Sequence, residues 1–275
     1  MSPLLENPRL YGVLRLCNTL DMANHAGSVV VDDTLGAIRV ITLAHHARKN
    51  ALTPDMLQAL QAALPQRPAS PTQPIRAVIL EGAAGTFSSG FDLTALTDEE
   101  RRRGVDPITP AADAIAACPV PVIAAVDGHC YGGAVELCAA CVISVANADS
   151  RFAVPAVRLG LVYPEGGLRR LRLRLGRAAE RVLLVGTAFG ADDALRWGLI
   201  HDVVADARAH ARALAEAIAA AAPLAIAGTL QALNAIDDGR PDDVVRARQA
   251  ALHSADLLEG IAAAQQKRPP NFGGL

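Results

Sequence analysis

No run of about 18 apolar residues appears in this 275-residue chain, so no segment reads as a membrane-spanning helix. No charged-then-apolar stretch opens it as a secretory signal would. An excess of one charge is also lacking. Lys and Arg number 26 against 28 Asp and Glu, a net charge of −2, which gives neither nucleic acid nor an acidic membrane surface an electrostatic footing. Cys17, Cys118, Cys130, Cys138 and Cys141 are odd in number and show none of the paired spacings of metal sites. They fit a reducing compartment. Cys138 and Cys141, three apart on an expected buried helix, read as small apolar packing residues. These absences predict a cytoplasmic protein with no metal site and with neither nucleic acid nor membrane as partner.

What is present is apolar mass. Hydrophobic residues make up 51% of the chain, ample for a buried core and against disorder. Length alone permits one large domain or two small ones. Segments 29–32 and 37–43 are β-branched runs split by Thr34-Leu35-Gly36, which predicts a hairpin. Thr53 and Pro54 predict a capped helix running to Leu64, and 65–74 is a proline-rich connection. Strands are expected at 77–80, 120–126 and 142–146, with a last short one starting at Phe152. Strands alternating with helical stretches point to βαβ units, an α/β class. From Arg177 the pattern turns helical, with terminal helices expected over 205–222 and 244–264. Residues 1–26 match no readable pattern and are set apart as an extension.

The most informative stretch is 126–137, Val-Asp-Gly-His-Cys-Tyr-Gly-Gly-Ala-Val-Glu-Leu. It sets a glycine pair three residues before the lone carboxylate of Glu136, after an apolar run that reads as a buried strand. Small residues let a ligand approach the backbone, and N–H groups at a helix start attract negative charge. A glutamate one turn into that helix would face the same place. The companion stretch is 85–93, Gly-Thr-Phe-Ser-Ser-Gly-Phe-Asp-Leu, which follows another strand-like run. Two such turns could each supply one N–H to a single carbonyl oxygen, beside an acid/base group. Against this stands a plainer reading, in which the glycines serve helix packing and Glu136 is a solvated first-turn residue.

These motifs resemble those of the crotonase superfamily, the enoyl-CoA hydratase/isomerases, from about Val29 to Phe272. Residues 48–52, Arg-Lys-Asn-Ala-Leu, are similar to the family's first acyl-CoA-binding segment, which implies CoA contacts at Lys49 and Ala51. Residues 87–93 are similar to its first oxyanion turn, with the donor on Ser89 and substrate contacts at Gly90, Asp92 and Leu93. Residues 126–137 are similar to its second, with the donor on Gly133 beside Gly132 and the catalytic glutamate on Glu136. Residues 152–156 and 158–167 are similar to the third signature, and 267–272 to the C-terminal end, where Lys267 would contact CoA.

The resemblance implies a crotonase-like (ClpP/crotonase) spiral of repeated ββα units over 27–205. A C-terminal helical trimerisation region would follow over 206–275, in a homotrimer or homohexamer. It implies an acyl-CoA-processing enzyme of the hydratase/isomerase type. Coenzyme A would be part of the thioester substrate, with no separate cofactor.

One departure bears on the reaction. Hydratases of this family carry a second glutamate after the proline of the third signature; here that residue is Ala156. A methyl group neither holds water nor passes a proton. Double-bond isomerisation and decarboxylation of a malonyl-type thioester therefore stand as alternatives. So does an acyl-CoA-binding protein that has lost the chemistry. Glu165 is the candidate to replace the missing carboxylate, weighed against a first-turn glutamate favoured by the helix dipole. Tyr163 is a candidate hydrogen-bonding phenol, weighed against simple packing. His129 reads as a turn or wall residue, His45 and His46 as solvated, and Asp92 as a brace for its turn. The run 169–174 reads as a helix with a buried leucine face and a solvated arginine face. A nucleophilic Ser88 or Ser89 would need a histidine base that no motif here supplies.

Overall fold

Burial of both faces makes the centre of the parallel sheet apolar, with no polar residue in Ala77–Leu80 or Val122–Val126. The computed structural model describes residues 27–70 and 73–274, so the proposed extension at 1–26 lies outside the described residues. The chain runs through β1 (Ser28–Asp32), β2 (Ile38–Ala44), α1 (Pro54–Ala63), β3 (Ala77–Gly82), α2 (Asp98–Arg103) and α3 (Thr109–Ala116). Next come β4 (Val122–Val126), β5 (His129–Tyr131), α4 (Gly133–Ala140), β6 (Ile143–Asn147), β7 (Arg151–Ala153), α5 (Glu165–Leu175) and α6 (Ala178–Val185). Then follow β8 (Phe189–Gly190), α7 (Ala191–Arg196), β9 (Asp202–Val204), α8 (Ala207–Ala219), α9 (Pro223–Asp237), α10 (Pro241–Leu252) and α11 (Ala255–Gln266).

The predicted hairpin forms, with β1 antiparallel to β2 and Val29 opposite Leu43. Thr53 caps α1 by accepting the Met56 N–H at 3.2 Å. Six strands make the main sheet in the order β1-β2-β3-β4-β6-β9, parallel from β2 onward. A smaller sheet, β5-β7-β8, stands beside it. Phe152 lies on β7, which is not the last strand. The short β8 and β9 follow it, too brief for a periodic pattern to reveal.

Period-two alternation divides each central strand between two cores. Val78 and Leu80 of β3, with Val122, Ala124 and Val126 of β4, point into the larger core beneath α1, α3 and α4. Ala77 and Ile79, with Ile123 and Ala125, face the other way onto Ala207, Ala211 and Ala215 of α8. Those alanines recur every four residues, so α8 presents a smooth stripe to the sheet. All eight residues of α4 are buried, Glu136 among seven small or apolar neighbours.

The helix expected over 244–264 is two helices. Ser254 interrupts it, its hydroxyl accepting the Leu257 N–H at 3.2 Å as the cap of α11. Beyond α11 the chain is tied down by carboxylates. Glu259 accepts both guanidinium nitrogens of Arg268, at 2.6 and 2.8 Å, and the Asn271 N–H at 2.7 Å. Asp256 Oδ1 takes the Gly273 N–H at 2.8 Å, and Arg76 donates to the Phe272 carbonyl at 2.7 Å. Among the described residues no single helix is long and apolar enough to cross a membrane.

The hydrogen bonds from Arg268, then that from Asn271, hold the Glu259 carboxyl down at about 2. Its folded pKa lies below the unfolded value, so the clamp contributes above the usual carboxylate range and is lost as pH falls toward about 2. Hydrogen exchange at Asn271 should therefore quicken as pH drops through that window, after correction for intrinsic rates. Glu259→Gln should show the faster exchange already at neutral pH. Unchanged protection in the variant would contradict the clamp.

Candidate active site

Strands β3 and β4 run side by side, and each leads at its carboxyl end into one of the two small-residue turns. Phe87 N–H donates to the Asp127 carbonyl at 2.7 Å, Ser88 N–H to His129 at 2.9 Å, and Tyr131 N–H to Ser88 at 3.0 Å. The first turn is thereby laced to β5, just ahead of the second. Residue 90 must be small, because its φ is +98° and a β-carbon there would meet the Tyr131 carbonyl oxygen at 2.7 Å. On its other side Leu52 N–H donates to Gly90 at 2.8 Å, and Asp92 N–H to Leu52 at 2.9 Å. The segment holding Lys49 and Ala51 thus lies against the first turn.

The two expected donors differ in state. Ser89 N–H is engaged, donating to the Lys49 carbonyl at 2.9 Å, and its hydroxyl donates to Arg48 at 2.8 Å. Gly133 opens α4 after Gly132, whose φ of 55° and ψ of −122° only glycine adopts readily. Among the described residues the Gly133 N–H has no hydrogen-bond partner, as expected at a helix start. Ile108 covers Gly133 closely, with Cδ1 2.6 Å from where a β-carbon would stand.

Glu136 follows one turn later and is fully buried, which removes the solvated first-turn reading. Its Oε1 accepts the Thr109 hydroxyl at 3.1 Å and lies 3.9 Å from Arg170 Nε. Arg170 in turn pairs with Asp113. Thr109 is fixed by the Asp106 carboxylate, which accepts the Ile108 and Thr109 N–H groups at 3.1 Å each. Glu136 Oε2 and the Tyr163 hydroxyl, in contrast, are buried with no hydrogen bond of ordinary geometry. A β-carbon on Gly167 would collide with the Tyr163 ring and stand 2.6 Å from Glu136 Oε2, so phenol ring and carboxylate share one wall.

Burial raises the Glu136 carboxyl above its ordinary value. The Thr109 hydroxyl and nearby Tyr163 pull it back, the Asp106 charge pushes it up, and Arg170 pulls it down. Burial, followed by the Glu136 charge, sends the Tyr163 phenol well up, so it stays a donor.

Glu165 begins α5 but turns outward, with its side chain 86% exposed and paired to Arg169 at 2.9 Å. It takes the first-turn position that helix electrostatics favours and is not brought to Glu136. Asp92 braces its turn, accepting Thr94 N–H at 3.0 Å and pairing with Arg48; the Thr94 hydroxyl is the main reason its carboxyl is lowered. Lys49, Leu93 and Lys267 are exposed, and Ala51 is buried. His46 is exposed, but His45 is buried rather than solvated, its Nδ1 3.2 Å from the Ala51 carbonyl. His129 packs against Tyr131 with ring centroids 5.0 Å apart and the planes tilted by 33°. Ser88 Oγ accepts the Gly90 N–H at 3.1 Å. The only histidine bond to either serine among the described residues is the backbone one from Ser88 N–H to the His129 carbonyl, so no imidazole meets a serine hydroxyl and the serine-nucleophile reading lacks its base.

Thr109, Asp106 and Arg170 escaped the sequence reading. The run 169–174 is not a simple leucine-in, arginine-out helix: Leu173 is 73% exposed, and Arg170 points inward. The available signal was helical spacing, since Arg170 and Leu171 lie three and four residues after Gly167, on its face. Gly167→Ala should be destabilising by about 1–3 kcal/mol through overpacking. Chemical denaturation would check this, and an unchanged midpoint would deny the close approach of α5 to Glu136.

Comparison with known proteins places this arrangement. Residues 33–274 match the family model for enoyl-CoA hydratase/isomerase. Carnitinyl-CoA dehydratase of Salmonella typhi is 33% identical over 215 residues, covering 72% of this chain and 81% of that protein. The crystal structure of an enoyl-CoA hydratase from Bacillus anthracis superposes with a TM-score of 0.82 at 29% identity, over 90% of this chain and 99% of that one. An enoyl-CoA hydratase/carnithine racemase from Magnetospirillum magneticum gives 0.82 at 31% identity, over 97% and 98%. The crotonase-like α/β fold expected from the motifs is thereby established, and the chain belongs to the enoyl-CoA hydratase/isomerase family.

Proposed function

We propose that this chain acts on acyl-CoA thioesters by forming an enolate, with Glu136 moving the proton at the α-carbon. The observation that carries this reading is the fully buried Glu136 carboxylate, one turn after the unpartnered Gly133 N–H, with Oε1 held by Thr109 and Oε2 on the wall it shares with Tyr163. A buried base with a raised pKa is matched to removing a weakly acidic proton near neutral pH. The Gly133 N–H is the first donor for the thioester oxygen. Ser89 N–H supplies the second once it exchanges the Lys49 carbonyl for the thioester. Lys49 and Asn50 stand in left-handed backbone at φ 50° and 57°, so that segment is already strained. Each such donor contributes about 3–4 kcal/mol in oxyanion holes of known energetics.

Coenzyme A is carried by the substrate, with Lys49, Ala51, Gly90, Asp92, Leu93 and Lys267 as its candidate contacts and no separate cofactor. The name of the carnitinyl-CoA dehydratase relative favours adding or removing water at the β-carbon. A homotrimer or homohexamer is supported by the apolar side chains left exposed on the C-terminal helices, among them Ile236 at 62%, Leu258 at 70% and Ile261 at 49%.

Deuterium exchange into the α-carbon of butyryl-CoA in heavy water tests the reading without requiring any reaction at the β-carbon. Wild type should exchange, and Glu136→Gln should lose about 100-fold or more. Gly133→Pro, which deletes the donor, should lose a comparable factor. Ser89→Ala should exchange at nearly the wild-type rate, because its donor is backbone. Wild type without exchange would sink the proposal.

The pH profile gives a second test. Glu136 acts ionised, so exchange should fall as pH drops through its raised pKa. Thr109→Val removes a hydrogen bond that favours the ionised form, so the acid limb should move to higher pH. A limb that stays in place or moves down would contradict the role given to Thr109.

A further inference from the structure

The missing carboxylate at Ala156 leaves open what would hold a water molecule at the β-carbon. Ala156 starts a tight turn, closed by Leu161 N–H donating to its carbonyl at 2.9 Å, and Tyr163 follows two residues later. The phenol therefore stands only seven positions after the absent glutamate. Its hydroxyl and Glu136 Oε2 are both buried beside the shared Gly167 wall, where no hydrogen bond of ordinary geometry satisfies either and each has only the other close by, near enough for the phenol to lower the Glu136 pKa. Unpaired buried polar atoms are uncommon, and leaving one without a partner costs about 1–3 kcal/mol. Two of them beside one wall are complementary in kind. Tyr163 has a proton to donate and a carboxylate oxygen can only accept. Thr109 reinforces the arrangement by donating to Oε1, with Arg170 3.9 Å from the same oxygen, so Oε2 is the oxygen on the Tyr163 side.

We propose that Glu136 Oε2 and the Tyr163 hydroxyl together hold the oxygen that is added to, or removed from, the substrate β-carbon. Tyr163 thereby serves as the second group of a carboxylate–phenol hydration site. This rests on the enolate reading above and narrows it to hydration and dehydration.

In the hydration direction the water donates one hydrogen bond to Oε2 and accepts one from the phenol. Its oxygen forms the bond to the β-carbon as its proton passes to Oε2. The carbon–carbon π pair shifts to make the enolate, whose charge rests on the thioester oxygen. The proton on Oε2 then goes to the α-carbon, giving the 3-hydroxyacyl thioester and restoring the carboxylate. Tyr163 keeps its proton throughout. It is a catalytic residue by contact with the reacting oxygen, not a second base.

Tyr163→Phe keeps the ring and its packing and deletes only the donor. Two rates are measured on the same variant: hydration of crotonyl-CoA, and α-proton exchange into butyryl-CoA. Hydration should lose about 30-fold or more in kcat, with KM for crotonyl-CoA changed little. Exchange needs Glu136 and the oxyanion donors but no β-carbon oxygen, so above its acid limb, which moves to higher pH without the phenol, it should fall far less than hydration. Hydration unaffected by the substitution would overturn the inference. Equal loss of both rates would also overturn it, because that is the signature of a merely structural ring. Wild type that exchanges but does not hydrate would overturn this inference and leave the enolate reading standing. Absence of both in wild type would fail the enolate reading itself.

Discussion

An ionisable side chain enclosed in an apolar helix is the constraint around which the site is arranged. Every residue of α4 is buried, and Glu136 is among them. Ionising a carboxyl there without partners would cost several kcal/mol. The surrounding elements supply partial compensation: Thr109 from α3 and Arg170 from α5 both reach Oε1, each held by its own acidic neighbour. Thr109 bonds one oxygen and only the Tyr163 phenol stands near the other, which leaves the group ionisable yet reactive. The same requirement explains the glycine pair at the start of α5. Side chains there would push that helix away from Thr109 and from the Glu136–Tyr163 wall.

The second condition is that donors and base stay in register. Two parallel neighbours, β3 and β4, end at the same level, and their turns are bound to each other through backbone bonds between Ser88 and the strand 129–131. The open end of parallel strands is where α/β proteins generally place ligands. Because these links are backbone to backbone, side chains in the turns are free to vary without moving the N–H groups. Lys49 enters the same lacing through its carbonyl, which ties the proposed CoA-binding segment to the state of the Ser89 donor.

Much of this was legible in the sequence, for identifiable reasons. Central strands buried on both faces are continuous apolar runs, so β3 and β4 are readable from composition alone. The glycines before Glu136 and after Ser89 mark backbone positions that tolerate no side chain, and they located both turns. The hidden parts depend on distance along the chain. Thr109 is 27 residues from Glu136, and Arg170 lies 34 residues beyond it, and no local pattern announces their convergence. Glu165 misled because it is a carboxylate near the right place in sequence. A first-turn glutamate with an arginine four residues on finds that partner at the surface. His45 misled in the opposite sense: a polar residue beside an exposed basic stretch is buried, with its Nδ1 3.2 Å from the Ala51 carbonyl.

The account stands on Glu136 being a buried carboxyl that holds its proton more tightly than an exposed one. Infrared difference spectroscopy across a pH titration, wild type against Glu136→Gln, isolates that group's protonated carbonyl band. A band absent from the variant should persist above the usual carboxylate value of 4.5 and disappear as pH rises further. A Glu136 signal already fully ionised below that value would contradict it.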